Sequence, residues 1–225
     1  MSAIRYAFSR NELSNWKARI TERLVELYIK QRLMPKLMKQ EDWDLMIYLT
    51  SAWFSTSKDE ELMPCLSYQE QAFFLSNNLI PTAELLGDFK NITRTLSNVP
   101  DGFFFKLKKV GKSRILRNVK EMRLDSAIDF TLGRLNFTSG KYRNMMQERL
   151  PVVSGEIEIV EVKSGTARLA SNQIKSYTDV LRRGYPLRYF YVDFISFELN
   201  EFELEERLFT TPNELTTFST KGKTK

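Results

Sequence analysis

A chain of 225 residues, 42% hydrophobic and 28% charged, carries enough apolar material for one sizeable core, and it has no apolar run of about 18 residues suited to crossing a membrane. The absence of histidine excludes zinc–histidine sites, Ser–His and Cys–His nucleophile pairs and histidine acid–base chemistry, while a single cysteine, Cys65, excludes an internal disulfide. The net charge of +6 permits a polyanionic partner without demanding one, and any metal falls to carboxylates and carbonyls, which favours magnesium or manganese.

The opening residues 1–6 lack an apolar signal core, which together with the lone cysteine predicts an intracellular protein, cytoplasmic or nucleoid-associated, with no membrane association. Residues 11–39 predict a helix: Trp16, Ile20, Leu24, Leu27, Tyr28 and Leu33 recur at three- and four-residue spacing, with Asn11 or Ser14 as cap and Pro35 as a kink or stop. A second helix is expected over 41–54, on Trp43, Met46, Ile47, Leu49 and Trp53. A polar connector over 55–61, a short helix over 67–75 and a helix over 81–96 opening on Pro81 complete a helical N-terminal region, residues 1–98.

The texture changes at Pro100-Asp101-Gly102. Residues 103–109 and 114–117 predict two strands around a turn at Val110-Gly111-Lys112-Ser113, and 122–132 predicts a third strand. Residues 133–153 form a polar, basic stretch. From Glu156 to Lys163 charged residues alternate, with a period close to two, with Ile157, Ile159, Val160 and Val162 between two glycines, which predicts a strand. A helix over 169–183 stops at Gly184 and Pro186, an aromatic strand follows over 187–197, 200–208 is acidic, and the Ser/Thr/Lys tail is expected to be disordered. The core therefore spans 99–208 and the tail 209–225.

Glu161 and Lys163, two apart on a strand, leave the same face, and a carboxylate beside an ammonium can hold a metal and activate a water; an exposed ion pair is the plain alternative. Gln173 and Tyr177, four apart on the next helix, share a face that can turn toward the strand end, the alternative being a solvated helix surface.

Asp125, the run Glu161-Val162-Lys163 and the run from Gln173 to Tyr177 resemble the motifs of the PD-(D/E)xK nuclease superfamily. The Gln-x-x-x-Tyr element looks like its RecB- and Cas4-like branch, and Glu-Val-Lys-Ser-Gly is also similar to archaeal Holliday-junction resolvases and VRR-type nucleases. The resemblance spans about residues 122–194. It implies an α/β fold: a restriction-endonuclease-like core with a mixed central sheet flanked by helices, preceded by the helical N-terminal region. It further implies a magnesium- or manganese-dependent DNA nuclease of repair, recombination or replication. Asp125, Glu161 and the Val162 backbone carbonyl would bind metal, with Asp129 the alternative to Asp125. Lys163 would activate water and Gln173 would support it. Tyr177, Arg168 and Lys175 would meet the DNA, and a homodimer is a candidate state. In this frame 133–153 is an insertion. Many members of the family also place a glutamate on the helix before the sheet, a place open to Glu84 and, by a similar local sequence, to Glu22, but both read as ordinary solvent-facing residues.

Phosphodiester hydrolysis supports these assignments on physical grounds, because it needs a polarised phosphate, a hydroxide nucleophile and neutralised charge at the leaving oxygen. Lysines and arginines suited to phosphate contacts fall at Lys106, Lys108, Lys109, Lys112, Arg114, Arg117, Lys120 and Arg123, and again at Arg168, Lys175, Arg182 and Arg183. The other function classes compatible with the sequence are a nucleic-acid-binding protein that keeps the fold without cutting, and a partner-binding structural protein.

Overall fold

The computed structural model describes residues 10–50, 74, 77–114, 149–194 and 202–221. Its centre is a six-stranded mixed sheet flanked by helices. Strands β1 (Leu45–Thr50), β3 (Gly102–Arg114), β4 (Arg149–Ser164), β5 (Leu187–Phe194) and β6 (Phe202–Phe209) lie side by side in that order. The β4–β5 pair is parallel; β1–β3, β3–β4 and β5–β6 are antiparallel. The short β2 (Ile80–Pro81) adds a parallel pairing to β4 at Val152 and Val153. The parallel β4–β5 step is bridged by helix α4 (Ser171–Arg182), the crossover that such a pairing requires.

Both faces of the sheet are covered, which is why its central strands carry apolar residues on both sides rather than alternating with polar ones. On one face Phe103, Phe105, Leu107, Ile157, Ile159 and Tyr189 pack with Leu85, Phe89 and Ile92 of helix α3 (Ala83–Thr95) and with Tyr177, Val180 and Leu181 of α4. The Phe89 ring meets Phe103 and Phe105 edge-on, with centroids 5.0 and 5.2 Å away. On the other face Phe104, Val160, Val162, Phe190 and Val192 pack with Val25 of helix α1 (Arg10–Tyr28) and with Ile29 and Leu33 of the π-helical turn that continues it.

That first helix departs from expectation in its buried face. Thr21, Val25, Ile29 and Leu33, four apart, are buried, whereas Trp16 and Leu27 are exposed. The π-turn Ile29–Leu33 joins α1 to α2 (Met34–Gln40) and is closed by the Met34 amide donating to the Ile29 carbonyl. Pro35 has no N–H to return to Gln31, so the wider turn just ahead of it takes up the lost α-helical bond.

Several elements correct the sequence reading. The helix expected over 41–54 is the strand β1 within its described part, because Leu45 to Leu49 are apolar throughout and serve both faces: Met46 and Tyr48 join one core, Leu45, Ile47 and Leu49 the other. The helical N-terminal region thus contributes a strand to the sheet of the core. Pro81 ends β2, and the helix begins after Thr82, whose hydroxyl accepts the Leu85 amide at 3.2 Å as its cap. The turn expected at 110–113 is a β-bulge within one continuous strand, with Lys109 opposite Val153 and Gly111 opposite Val152. The acidic segment over 200–208 contains edge strand β6, and the tail contains helix α5 (Pro212–Lys221), anchored by buried Leu215 and by Phe218 against Tyr189 and Phe209. The strand expected over 122–132 lies outside the described residues, as does the helix expected over 67–75 except for Phe74.

Candidate active site

Helix α4 and the C-terminal end of β4 converge on Glu161. Its alternation with Ile157, Ile159 and Lys163 turns it toward α4, and its side chain is 1% exposed. A carboxylate so buried needs compensation, and three donors supply it. Lys163 Nζ and Gln173 Nε2 both donate to Oε1, the latter at 2.8 Å, and the Tyr177 hydroxyl donates to Oε2. Tyr177 is placed by Tyr-to-Gln spacing of one helical turn. Gln173 is fixed in turn: its Oε1 accepts the Ala170 amide at 3.1 Å, capping the helix and leaving its NH₂ pointing at Glu161. Asn98 Nδ2 donates to the Tyr177 hydroxyl at 3.0 Å, and Ser97 N donates to Ser176 Oγ at the same distance, tying the segment after α3 to α4.

A second acid enters from β3. Asp101 immediately precedes Gly102, which is paired with Val160, and its Oδ2 accepts the Val162 amide at 2.7 Å. The fit is close: a Cβ on Gly102 would lie 2.6 to 2.7 Å from the Tyr48 ring, the Tyr48 hydroxyl and the Leu49 carbonyl, so glycine is what allows β3 to run against β1 at this point. Burial, and then the negative charge of Glu161, push the Asp101 carboxyl up to about 7, against the downward pull of the Val162 amide and Lys163. Glu22 on α1 adds to the upward pressure on Asp101. Its own carboxyl is raised by burial and by Glu161, partly offset by Arg19 and Lys163. Burial raises the Tyr177 phenol, and the charge of Glu161 and the hydrogen bond to it raise it further, so Tyr177 stays a donor.

The centre therefore brings the carboxyl of Asp101, just ahead of β3, close to Glu161 and Lys163 of β4, while Glu22, exposed on α1, acts on them only through its charge. An acid held near neutrality by its neighbours is a group that a cation would relieve, and the donors are oxygens, which suits magnesium or manganese rather than a soft metal. Asp101, Glu161 and the Val162 carbonyl are the residues that would hold such an ion. Among the described residues, no three acidic or cysteine side chains converge as a ready-made cage. Because Lys163 and Gln173 share Oε1 of Glu161, an ion binding there displaces at least one of them.

Of the residues expected from the sequence, Glu161, Val162, Lys163, Gln173 and Tyr177 are brought together here. Arg168 lies at the margin, its guanidinium 5.7 Å over the ring of Tyr191, the residue opposite Lys163 on β5. Lys175 is exposed on α4. Asp125 and Asp129 lie outside the described residues. Asp101 was missed, while Glu22 is exposed on α1, as expected. Asp101 sits where Pro100-Asp101-Gly102 looks like a turn; the signal for it was the Pro-Asp pair at the mouth of a strand. Lys106, expected to face phosphate, is instead 8% exposed and paired with Glu158, Glu41 and Glu156 at 3.1 to 3.4 Å.

Comparisons of the chain with protein-family models, with curated proteins and with solved structures found no match.

Proposed function

We propose that the protein is a metal-dependent deoxyribonuclease of the PD-(D/E)xK kind, with a restriction-endonuclease-like core. The observation that carries this reading is the meeting of Asp101 with Glu161-Val162-Lys163 across the β3–β4 pair. Pro100-Asp101 followed by Glu161-Val162-Lys163 reproduces the letters of the motif, so Asp101 takes the place that Asp125 or Asp129 was expected to fill. Gln173 and Tyr177 complete the resemblance from α4.

A bound magnesium or manganese ion supplies Lewis acidity toward the phosphate and lowers the pKa of a coordinated water. The chain's own residues do the rest. Asp101 and Glu161 give the anionic oxygens, and Tyr177, donating to the other oxygen of Glu161, holds its rotamer when an ion takes the place of one of the donors at Oε1. Lys163, 16% exposed in its side chain, reaches from the same face to orient the attacking water and to neutralise charge on the scissile phosphate.

Linear, branched and single-stranded DNA incubated with the full chain in magnesium, in manganese and in EDTA provides the test. Cleavage that needs the metal and falls at least 100-fold in Asp101→Asn and in Lys163→Ala is the expected outcome. Absence of cleavage on every substrate, or full activity in both variants, overturns the proposal.

One observation favours a second reading, a nucleic-acid-binding protein that does not cut. Both oxygens of Glu161 are already engaged by side chains of the chain itself. Salt-sensitive DNA binding without cleavage in the same assay would select it.

A further inference from the structure

The chain's positive charge is concentrated in one part of the sequence. Between Lys108 and Arg149 there are eleven Lys and Arg against four Asp and Glu, a net +7, which exceeds the +6 of the whole chain. The two ends of this interval are described: they are the outer halves of β3 and β4. Beyond Leu107 the β1 strand has ended, so Lys108–Arg114 pair with β4 alone. Lys108, Lys109, Val110, Gly111 and Lys112 are all exposed.

The bulge decides where these lysines point. Opposed residues on neighbouring strands share a face of the sheet, and a bulge changes that parity along one strand. Lys109 lies opposite Val153, and Lys112 opposite Pro151, because Val110 is inserted without a partner. An unbulged strand would put residues 109 and 112 on opposite faces. Here both emerge on the face of Pro151 and Val153, and β4 pairs with β3 without a shift of its own from Val153 to Val160. That face is therefore also the face of Glu161 and Lys163. Lys108 points the other way, opposite Ser154, and its ammonium is 2.7 Å from Asp42.

At about 3.3 Å per residue, the eight residues from Val153 to Glu161 and the ten from Pro151 to Glu161 span roughly 26 and 33 Å. At about 3.4 Å per base pair this is about eight to ten base pairs, close to one turn of B-form duplex. We infer that Lys109 and Lys112 form a remote phosphate clamp for double-stranded DNA, engaging the backbone about one helical turn from the scissile bond. This rests on the nuclease reading of the Glu161 site. It adds to that reading a substrate class, duplex rather than single strand, and a minimum length on one side of the cut. Helices α3 and α4 fill the face between the two ends, so the duplex lies across their outer surface.

The clamp is tested with the full chain in EDTA, where binding is read without cleavage, by fluorescence anisotropy on labelled duplexes of 6, 12, 18 and 24 base pairs. Lys109→Glu combined with Lys112→Glu is compared with Lys36→Glu combined with Lys39→Glu, which makes the same charge change on exposed positions of α2. The expected result is a loss on the order of tenfold on the 24-mer and no loss on the 6-mer. The slope of log affinity against log salt should also fall by about 2, since each phosphate contact carries about 0.9. The α2 variant should match the wild type at every length. Equal losses for both variants, an equal loss on 6-mer and 24-mer, or unchanged binding of the Lys109/Lys112 variant each overturn the clamp. Tighter binding of single strands than of duplex overturns the substrate class. Circular dichroism confirms that the variants fold. The two readings fail separately: cleavage by the wild type with an unaffected Lys109/Lys112 variant removes the clamp alone, and length-dependent binding without cleavage removes the nuclease alone.

Discussion

The Asp101 carboxylate accepts the Val162 amide at 2.7 Å and in doing so stands beside the buried carboxylate of Glu161. The two acids thus lie close to one lysine, and burial first, with the charge of Glu161 adding to it, raises the Asp101 carboxyl.

That elevation makes stability depend on pH. A carboxyl near 4 in the unfolded chain and about 7 in the folded one binds its proton more tightly when folded. Its contribution is therefore fully present below pH 4 and is lost as pH rises toward and through 7. Asp101→Asn keeps an acceptor for the Val162 amide and removes the titration. Urea denaturation from pH 4 to 8 should show the variant gaining over the wild type as pH rises, by an amount on the order of a few kcal/mol at pH 8. Parallel profiles for the two proteins would contradict the assignment.

Metal binding should be visible without any substrate. An ion held by Asp101 and Glu161 stabilises the folded state by about 2.7 kcal/mol at a concentration 100 times its dissociation constant. For a chain of this size that is a rise in Tm of roughly 5–10 °C. The ion competes with the Asp101 proton, so the rise should be greater at pH 8 than at pH 6. Asp101→Asn should lose most of it, and an equal rise in that variant would rule out Asp101 as a ligand.

Tyr177→Phe removes the hydroxyl that donates to Glu161 and accepts from Asn98. Both partners are left short in a buried setting, so a loss of about 1–3 kcal/mol is expected from urea midpoints. Asn98→Ala tests the same link, and the double variant should lose less than the sum of the two. An additive result would mean that Asn98 and Tyr177 act independently.

Gly155→Ala addresses the sheet rather than the site. A Cβ there would stand 2.0 Å from the Lys106 carbonyl, a backbone atom that cannot step aside without parting β3 from β4. A loss of about 3 kcal/mol or more is expected, measured by thermal unfolding. Gly165→Ala gives a smaller strand-independent comparison, since its Cβ meets nothing within 4 Å and the cost is that of its positive φ of 59° alone.

The chemistry on β4 and α4 was legible because it is local. Glu161 and Lys163 are related by strand alternation and Gln173 and Tyr177 by one helical turn, relations that a sequence displays directly. The approach of Asp101 was not, because it nears Glu161 through the β3–β4 pairing from 60 residues away in sequence, and the strand that follows it reads as two pieces around Val110–Ser113. β1 was misread because Trp43, Met46, Ile47 and Leu49 satisfy helical spacing as well as a strand buried on both faces does. β6 was hidden by its charge: an edge strand leaves most side chains in water, and the short alternation Phe202-Glu203-Leu204-Glu205 breaks at Glu206-Arg207.

The site depends on the β3–β4 register. A slip of a single residue in an antiparallel pair turns every side chain of the slipped strand to the opposite face. Asp101 would then point toward the α1 side while Glu161 stayed with α4, and the shared pocket would not exist. Gly102 against β1 and Gly155 against Lys106 both penalise such a slip by collision. On the proposed function, a misaligned or half-made copy has no means of cutting the genome around it, and correct folding itself is the safety catch.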